Sequence, residues 1–242
     1  MANYQPPFTI SNKVLTLVTN ISEAIGRLST NFVSAQDNAL RLRKINQMRT
    51  IQGSLAIEGN TLTVEQITEI LDGKRIIAPA REVKEAHNAI SVYEQLLKWQ
   101  PSSDHDLLAA HKQLMLGLVP DAGLWRSGDV GVMSGDKVIH IAPPADLVPK
   151  LMNDLSTWLA QTDYSPLIAS CIFHYEFEFI HPFSDGNGRM GRLWQTLILS
   201  KWREVFINIP VESLVYQYQA EYYQAINQST QKTDCAPFVE FM

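Results

Sequence analysis

Apolar residues recur at helical spacing along most of the chain. In residues 11–33 they follow steps of three and four, which predicts an amphipathic helix with one buried face. The apolar positions of this helix are Val14, Leu17, Val18, Ile21, Ile25, Leu28 and Phe32. A second helix with a less regular apolar face is predicted from Asp37 to Ile57 or Glu58. Gly59-Asn60 should end it, because glycine is common just past a helix C-terminus.

The same pattern predicts helices along most of the remaining chain. Thr63 to Leu71 is a short helix that begins with a capping pattern, since Gln66 follows Thr63 by three residues. The other predicted helices are Arg81–Trp99, Asp104–Leu116, Leu147–Leu159, Pro166–Ile180, Gly188–Trp202 and Tyr216–Gln228. Pro237–Met242 resembles the first turn of a further helix, which leaves open whether the natural protein continues past Met242.

The helical pattern is interrupted between residues 123 and 144. Two β-prone segments, Asp129–Met133 and Lys137–Ile141, flank Ser134-Gly135-Asp136, which has the composition of a tight turn. This arrangement predicts one β-hairpin. The fold class predicted from the pattern is therefore mainly α, a helical bundle with a single β-hairpin.

The composition and charge of the chain argue against several classes of protein. The 242 residues are 45% hydrophobic and 19% charged, which is typical of a folded globular protein. The net charge of −5 argues against a nucleic-acid partner. No apolar run approaches the ~20 residues of a membrane helix, and the N-terminus lacks the features of a signal peptide. The two cysteines show no metal-ligand spacing, so we expect a cytoplasmic protein without structural zinc.

The segment His181-Pro-Phe-Ser-Asp-Gly-Asn-Gly-Arg-Met-Gly-Arg192 concentrates the candidate chemistry. Gly186 and Gly188 allow a sharp turn at the start of a helix, where free amides and the helix dipole favour phosphate. Arg189 and Arg192 are three residues apart, so they share one helix face and can bind polyphosphate.

Two further residues of this segment complete a site for phosphate chemistry. Asp185 can hold Mg²⁺, which usually takes one or two carboxylates together with substrate phosphates. Histidine titrates near neutral pH, so His181 suits a general base. Together these residues indicate phosphoryl or nucleotidyl transfer. The pattern Gly186-x-Gly188-x-x-Gly191 also matches a dinucleotide-binding fingerprint, but the preceding segment has helical rather than strand periodicity. A plain polar helix–helix loop is the other reading.

The twelve residues from His181 to Arg192 resemble the signature of the Fic domain family, H-P-F-x-[D/E]-G-N-G-R-x-x-R, at every defined position. The preceding His174–Ile180 and the region from Leu124-Trp-Arg126 to Pro143-Pro144 also look like the family. The resemblance covers residues ~40–242. It implies a Fic-type helical bundle whose β-hairpin forms a flap near the active site. It also implies a protein adenylyltransferase, an enzyme that moves AMP from ATP to a Ser, Thr or Tyr hydroxyl of a target protein.

The resemblance also implies roles for individual residues. His181 corresponds to the general base, Asp185 to the Mg²⁺ ligand and Phe183 to the residue that anchors the loop in the core. Gly186, Asn187 and Gly188 correspond to the α-phosphate anion hole, and Arg189 and Arg192 to the β- and γ-phosphate contacts. Kinase-like relatives carry Lys where this chain has Gly188, which favours AMP transfer. ATP and Mg²⁺ are the implied substrate and metal.

A second segment, Ser54-Leu-Ala-Ile-Glu58-Gly59-Asn60, resembles the inhibitory motif [S/T]-x-x-x-E-[G/N] of one Fic subclass. Ser54 and Glu58 are i and i+4, so they lie on one helix face. A carboxylate at a helix C-terminus is unfavourable because the helix dipole is negative there. We therefore expect Glu58 to pair with a residue from another part of the protein. The resemblance names Arg192 as that partner, and the pair would occupy the γ-phosphate position.

The resemblance divides the chain into residues 1–60, helices that include the inhibitory helix, and residues 61–242, the catalytic core. The second strand of the hairpin, through Val138, Ile139 and His140, is expected to pair with an extended segment of the target. The target could be this protein itself, and a homodimer is possible. Two alternatives remain open: removal of AMP by the same site, and a non-catalytic module that binds nucleotide and partner.

Overall fold

The computed structural model describes residues 4–31, 36–134 and 137–242. Within these ranges, the side chains of residues 28–31, 36–41, 132–134 and 137–140 are left outside the description. The positions predicted at Leu28 and Phe32, and the predicted turn residues Gly135 and Asp136, therefore lie outside what is described.

The described chain is mainly helical, which confirms the predicted fold class at that level. The helices are α1 (Asn12–Asn31), α2 (Gln36–Ile57), α3 (Val64–Leu71), α4 (Ala80–Glu94), α5 (Asp104–Leu114), α6 (Val148–Gln161), α7 (Pro166–Ile180), α8 (Asn187–Trp202), α9 (Val211–Gln217), α10 (Gln219–Lys232) and α11 (Ala236–Phe241). Short 3-10 turns lie at Leu96–Lys98, Ala145–Leu147 and Glu204–Asn208. None of the described helices is both long enough and apolar enough to span a bilayer.

Two predicted helices differ from the structure. The segment Arg81–Trp99 is not one helix, because α4 ends at Glu94 and a 3-10 turn follows. The segment Tyr216–Gln228 straddles a break at Tyr218, where α9 ends and α10 begins. Helix α9 was not predicted as a separate helix, and only its last two residues fall in a segment predicted to be helical. It has seven residues and no side-chain cap, so it carries too few apolar positions for a periodic signal.

Two strands occupy the region of the predicted hairpin. Strands β1 (Gly131–Ser134) and β2 (Lys137–Ile141) pair antiparallel, with Gly131 opposite Ile141 and Ser134 opposite Lys137. The register is irregular between Val132 and Met133.

Helices α7 and α8 form the centre of the core. Helix α7 is rich in apolar residues and is buried along most of its length, from Leu167 to Phe177 and again at Ile180. Fully buried residues of this pair include Ile172, Phe173, Phe177, Leu193, Trp194 and Leu197. The same hydrophobic cluster extends from Val14 in α1 to Val239 in α11, so both ends of the chain share it. The loop that joins α7 to α8 is thus held between two buried helices.

The C-terminal end of α2 is brought to this loop by α9 and α10. At Gly53 the backbones of α2 and α9 approach so closely that a Cβ would lie 2.7 Å from the carbonyl carbon of Glu212. Gln219 of α10 donates from Nε2 to the carbonyl of Ile57, 2.9 Å away, at the last turn of α2. The next helix, α3, begins with the predicted capping box of Thr63 and Gln66.

Candidate active site

His181 ends α7 in a left-handed conformation, with φ 51° and its N–H donating to the carbonyl of Phe177 at 2.9 Å. Such a φ is uncommon for a residue with a side chain and is often found at functional sites. The side chain of His181 is 21% exposed, while its Nδ1 is buried and has no hydrogen-bond partner. The accessible part of the ring is therefore the other edge, where Nε2 lies.

The loop after His181 is fixed by its own side chains. Phe183 is fully buried and packs against Phe177 and Trp125. Asn187 accepts from the N–H of Phe183 and donates to its carbonyl, both at 2.9 Å. The Asn187 side chain is thus used within the loop, and its backbone N–H at the helix start is what it can offer to a phosphate.

His111 of α5 packs against this loop. The sequence alone did not indicate it as a site residue. Its ring stacks on Phe183, with 3.6 Å between ring centroids and 4° between planes. Nδ1 accepts from the N–H of Gly123 at 2.9 Å, so Nε2 carries the proton and donates to the carbonyl of Asp185 at 3.0 Å. Burial lowers the pKa of His111 to about 4, which keeps the ring neutral near pH 7.

Arg126 is a second support that was not predicted as a site residue, although it lies in a segment that resembles the family. It is 3% exposed and donates from Nε to the carbonyl of His181 at 2.7 Å. It also donates to the carbonyls of Gly128 and Pro143, which flank the two strands. Arg126 therefore joins the end of α7 to the base of the hairpin.

Gly186 starts α8 with φ 84°, where glycine is favoured. A Cβ at this position would also lie 2.7 Å from Met115 Sδ, so both conformation and space require glycine. The first N–H groups of α8 follow directly, and the helix dipole makes this end attractive to anions.

Charged side chains surround this helix start. Arg189 contacts Asp185 at 3.1 Å and Glu85 at 3.6 Å. Arg81, at the beginning of α4, contacts the same two carboxylates at 3.5 and 3.3 Å. Arg189 is 5% exposed, whereas the Asp185 side chain is 41% exposed. The sequence did not indicate Arg81 or Glu85, because they come from a distant segment without a motif.

Arg192 lies one turn further along α8 and contacts the end of α2. Its Nη2 donates to Glu58 Oε1 at 2.6 Å and to the carbonyl of Ser54 at 3.0 Å, and its Nε donates to Ser54 Oγ at 3.4 Å. Burial by itself lowers the pKa of Arg192, but the Glu58 carboxylate raises it above the usual value. A Cβ on Gly188 would collide with Glu58 Oε1, so the carboxylate lies over the first turn of α8.

Glu178, one turn before His181 on α7, is a further residue that the sequence did not indicate. Its Oε2 lies 3.9 Å from His181 Nδ1 and its Oε1 lies 3.7 Å from His174 Nε2. Burial raises the pKa of Glu178, but its neighbours His174, His181 and Arg192 outweigh this effect, so the net shift is downward. The carboxylate is therefore charged at neutral pH.

The predicted docking residues Val138, Ile139 and His140 belong to β2, where Val138 pairs with Met133 and His140 with Val132. Their side chains lie outside the description. The structure thus gathers the loop residues, the α8 arginines, Ser54 and Glu58 at one place, with the base of the hairpin tied to the same place through Arg126.

This arrangement suits chemistry on a phosphate. A helix N-terminus and two buried arginines face one region, with a histidine at the end of the preceding helix and a half-exposed carboxylate between them. Among the residues described, no group of three or more His, Cys, Asp or Glu is placed to hold a metal ion.

Comparison with known proteins gives consistent matches. A family model described as the Fic/DOC family matches residues 101–199. The chain is similar to a crystal structure of a Fic family protein from Desulfovibrio desulfuricans G20, with a TM-score of 0.92 and 52% identity. That match covers 98% of this chain and 73% of the other.

Matches of lower sequence identity carry more specific protein names. The chain is 30% identical over 205 residues to "Protein adenylyltransferase Fic" of Nematostella vectensis, which is 79% of this chain and 45% of that protein. A structure of Fic-1 (residues 134–508) from C. elegans has a TM-score of 0.71 and 25% identity, with 94% of this chain and 70% of that chain covered. This chain spans less than half the length of the curated relatives it matches.

Proposed function

Because the chain belongs to the Fic/DOC family, we propose that it is an autoinhibited protein adenylyltransferase. It would transfer AMP from ATP to a Ser, Thr or Tyr hydroxyl of a target protein. We infer this activity from the names of relatives such as "Protein adenylyltransferase Fic". The observation that carries the proposal is the meeting of His181, the start of α8 and two buried arginines around one loop.

The proposed reaction uses each of these groups once. His181 accepts the proton of the target hydroxyl while the hydroxyl oxygen attacks the α-phosphorus of ATP. A new P–O bond forms to the target, the bond to the β-phosphate breaks, and pyrophosphate leaves. The N–H groups of Asn187 and Gly188 at the start of α8 would stabilise the charge that grows on the α-phosphate. The N–H of Gly186 would join them once it is released from Asp185 Oδ1, to which it donates at 2.6 Å. Arg189 and Arg192 would bind the β- and γ-phosphates.

Asp185 fits a Mg²⁺ ion that is held mainly by ATP. The carboxylate is half-exposed at the loop edge, and one or two carboxylates with substrate phosphates are a usual Mg²⁺ ligand set. When bound, the ion would neutralise phosphate charge. Arg81 and Arg189 hold the carboxylate toward the helix start, where the phosphates would lie.

Glu58 is the proposed inhibitor. Its carboxylate pairs with Arg192 at 2.6 Å and covers the first turn of α8 near Gly188. A γ-phosphate that needs Arg192 would have to displace this carboxylate, which is a second anion in the same place. ATP would then bind in an unproductive pose until Glu58 moves away.

We propose that β2 positions the target. A two-stranded sheet has a free edge on each strand, and an extended segment can add to such an edge through backbone hydrogen bonds. The backbone of Val138, Ile139 and His140 would supply that edge. Arg126 connects the residues that flank the hairpin to the carbonyl of His181. The added segment would therefore lie near His181, the proposed general base.

Removal of AMP from a modified target is a second candidate function for the same site. The Glu58 side chain is 35% exposed and pairs with Arg192 through Oε1, so the carboxylate could also position a water molecule. In that reaction the water oxygen would attack the phosphorus and the target hydroxyl would leave with a proton.

Intact-mass analysis of the full chain with ATP and Mg²⁺ tests the proposal. We expect an AMP-sized mass gain for Glu58→Gly, little gain for the wild type, and none for Glu58→Gly combined with His181→Ala. Equal labelling of wild type and Glu58→Gly would refute the inhibitory role. If no variant is labelled, an AMP-modified target incubated with the wild type distinguishes AMP removal from a binding role.

A further inference from the structure

Glu178 and His181 form an unusual pair in the described chain. Glu178 is 11% exposed and lies in the last turn of α7, three residues before His181, which caps that helix. His181 Nδ1 and Glu178 Oε1 are both buried, and neither has a hydrogen-bond partner. Glu178 Oε2 lies 3.9 Å from that Nδ1. A donor-capable nitrogen and a carboxylate thus face each other inside the protein.

His174 is near the same carboxylate, but its own nitrogens have other partners. Gln195 directs Nε2 to Cys171 Sγ, so its Oε1 accepts from His174 Nδ1 at 2.6 Å. His174 Nε2 then accepts from the Tyr222 hydroxyl at 3.0 Å. The neutral ring of His174 is satisfied in this way and has no proton left for Glu178.

Helix α8 has a glycine, Gly191, where it packs against the Glu178 carboxylate. A Cβ at Gly191 would lie 2.9 Å from Glu178 Oε1 and 2.8 Å from His174 Cδ2. Gly191 is one of the unspecified positions of the His181–Arg192 signature, so the motif alone does not explain it. The charged or titratable groups that face Glu178 are His174 and His181, Arg192 from α8 and Tyr222 from α10.

One oxygen of this carboxylate is buried without a hydrogen-bond partner. A buried polar atom without a partner is typically destabilising by about 1–3 kcal/mol, and more when it is charged. An apolar side chain would pack between α7 and α8 without that cost. A role in the chemistry of His181 explains why a carboxylate is present.

We propose that Glu178 is the positioning residue of His181. Its carboxylate accepts the Nδ1–H of the imidazole, which fixes the ring and leaves Nε2 unprotonated on the accessible edge. This inference rests on the proposed function, in which Nε2 takes the proton of the target hydroxyl. The positive imidazolium that forms then lies beside the negative carboxylate, which stabilises it as the P–O bond forms.

A small movement is enough to make the hydrogen bond. The present 3.9 Å between Glu178 Oε2 and His181 Nδ1 exceeds the usual 2.7–3.2 Å by about 1 Å. Catalytic hydrogen bonds are often long in free enzymes and shorten when the substrate is bound. Rotation of the His181 ring about its side-chain torsions would close the gap without moving α7.

The first test reads the tautomer of His181 directly, without ATP or a target. Long-range ¹H–¹⁵N correlation spectra of the full chain distinguish Nδ1–H from Nε2–H imidazoles, and His181→Ala assigns the signal. We expect the Nδ1–H form in the wild type and its loss in Glu178→Gln. Glu176→Gln is the matched control, because Glu176 is a buried glutamate of the same helix that bonds Tyr4 instead.

The second test measures kcat and KM for ATP in the Glu58→Gly background. Adding Glu178→Gln should lower kcat on the order of 10- to 100-fold, within the ~10²–10⁴-fold that a general base contributes, and leave KM within twofold. Adding Glu176→Gln should leave both unchanged. Thermal unfolding confirms that the variants are folded.

The outcomes separate this inference from the proposed function. Loss of the Nδ1–H form together with a lower kcat supports Glu178 as the positioning residue, and failure of either change overturns it. An Nε2–H tautomer in the wild type overturns it without any variant. If Glu58→Gly alone transfers no AMP, the proposed function fails, and the tautomer still decides whether Glu178 orients His181.

Discussion

At the scale of single residues, His111 shows how a buried side chain fixes the candidate site. It satisfies the N–H of Gly123 and the carbonyl of Asp185 and stacks on Phe183. The contacts with Asp185 and Phe183 join α5 to the loop that carries Asp185. We infer that the loop depends on this neutral histidine for its shape.

Replacing His111 should therefore be costly. We expect His111→Leu to lower the free energy of unfolding by about 1–3 kcal/mol, because two partly buried backbone groups lose their partner. The measurement is urea unfolding of the variant and the wild type. His105→Ala is the control on the same helix, since the His105 side chain is 91% exposed and its loss should change stability by less than about 0.5 kcal/mol. Equal effects of the two substitutions would contradict the role of His111.

The functional residues could be predicted from the sequence where they lie close together in the chain. The segment from His181 to Arg192 carries its meaning in twelve adjacent residues, and the structure brings them together around one loop. His111 and Arg126 contact residues that are distant in the chain, so no local pattern indicates them. Glu178 lies near His181 in the chain, but it is outside the twelve-residue motif and a single glutamate gives no signal of its own. The pairing of Glu58 with Arg192 came from the family resemblance and could not be derived from spacing alone.

At the scale of elements, the packing of α2 on α9 determines where Glu58 lies. The contact at Gly53 is backbone to backbone, since a Cβ would lie 2.7 Å from both Glu212 C and Ser213 N. Glu58 follows Gly53 by five residues, little more than one turn. A shift of α2 at this contact would be transmitted to the Glu58–Arg192 ion pair.

Under the proposed function, Gly53→Ala is expected to raise AMP labelling without changing Ser54 or Glu58. The added methyl group must push α2 away from α9, at a cost of about 1–3 kcal/mol, and should loosen Glu58. We expect AMP labelling above the wild type and below Glu58→Gly, measured by intact mass. Gly26→Ala in α1 is the matched control, because nothing lies within 4 Å of its Cβ. It should leave labelling unchanged and add about 0.5–1 kcal/mol of stability. A destabilised but silent Gly53→Ala would argue against this coupling.

The elements themselves were predictable to different degrees. Helix α7 has the predicted bounds, Pro166 to Ile180, because a proline starts it and an apolar run fills it. The capping box of Thr63 and Gln66 is equally local. Helix α9 is stabilised by its contact with α2 rather than by its own sequence, so the periodic pattern did not indicate it.

At the scale of the whole molecule, the beginning of the described chain is tied to its end and to the central helix. Tyr4 donates its hydroxyl proton to Glu176 of α7 at 2.5 Å, and Cys235 donates its N–H to the carbonyl of Pro7 at 2.9 Å. Val14 belongs to the same hydrophobic cluster as Phe238. The division at residue 60 stays a prediction, and residues on both sides of it share this one core.

Tyr4→Phe tests the contribution of this closure through its pH dependence. Glu176 is 5% exposed, and burial raises its pKa above the ordinary value, although the Tyr4 hydroxyl lowers it in part. A carboxyl whose pKa is raised by folding supports stability at low pH and loses that support as the pH rises through the folded pKa. The Tyr4 hydroxyl limits the loss, because it donates to the charged form.

Removing that hydroxyl should therefore destabilise the protein more at pH 8 than at pH 4.5. We expect a decrease of about 1–3 kcal/mol at pH 8, where a buried carboxylate loses its donor, and a clearly smaller decrease at pH 4.5. Tyr175→Phe is the matched control, since the Tyr175 hydroxyl pairs with the uncharged hydroxyl of Thr230 at 3.2 Å. Its effect on urea unfolding should be the same at both pH values. A Tyr4→Phe effect that does not depend on pH would mean that the hydroxyl acts only through packing, and that Glu176 is neutral throughout this range.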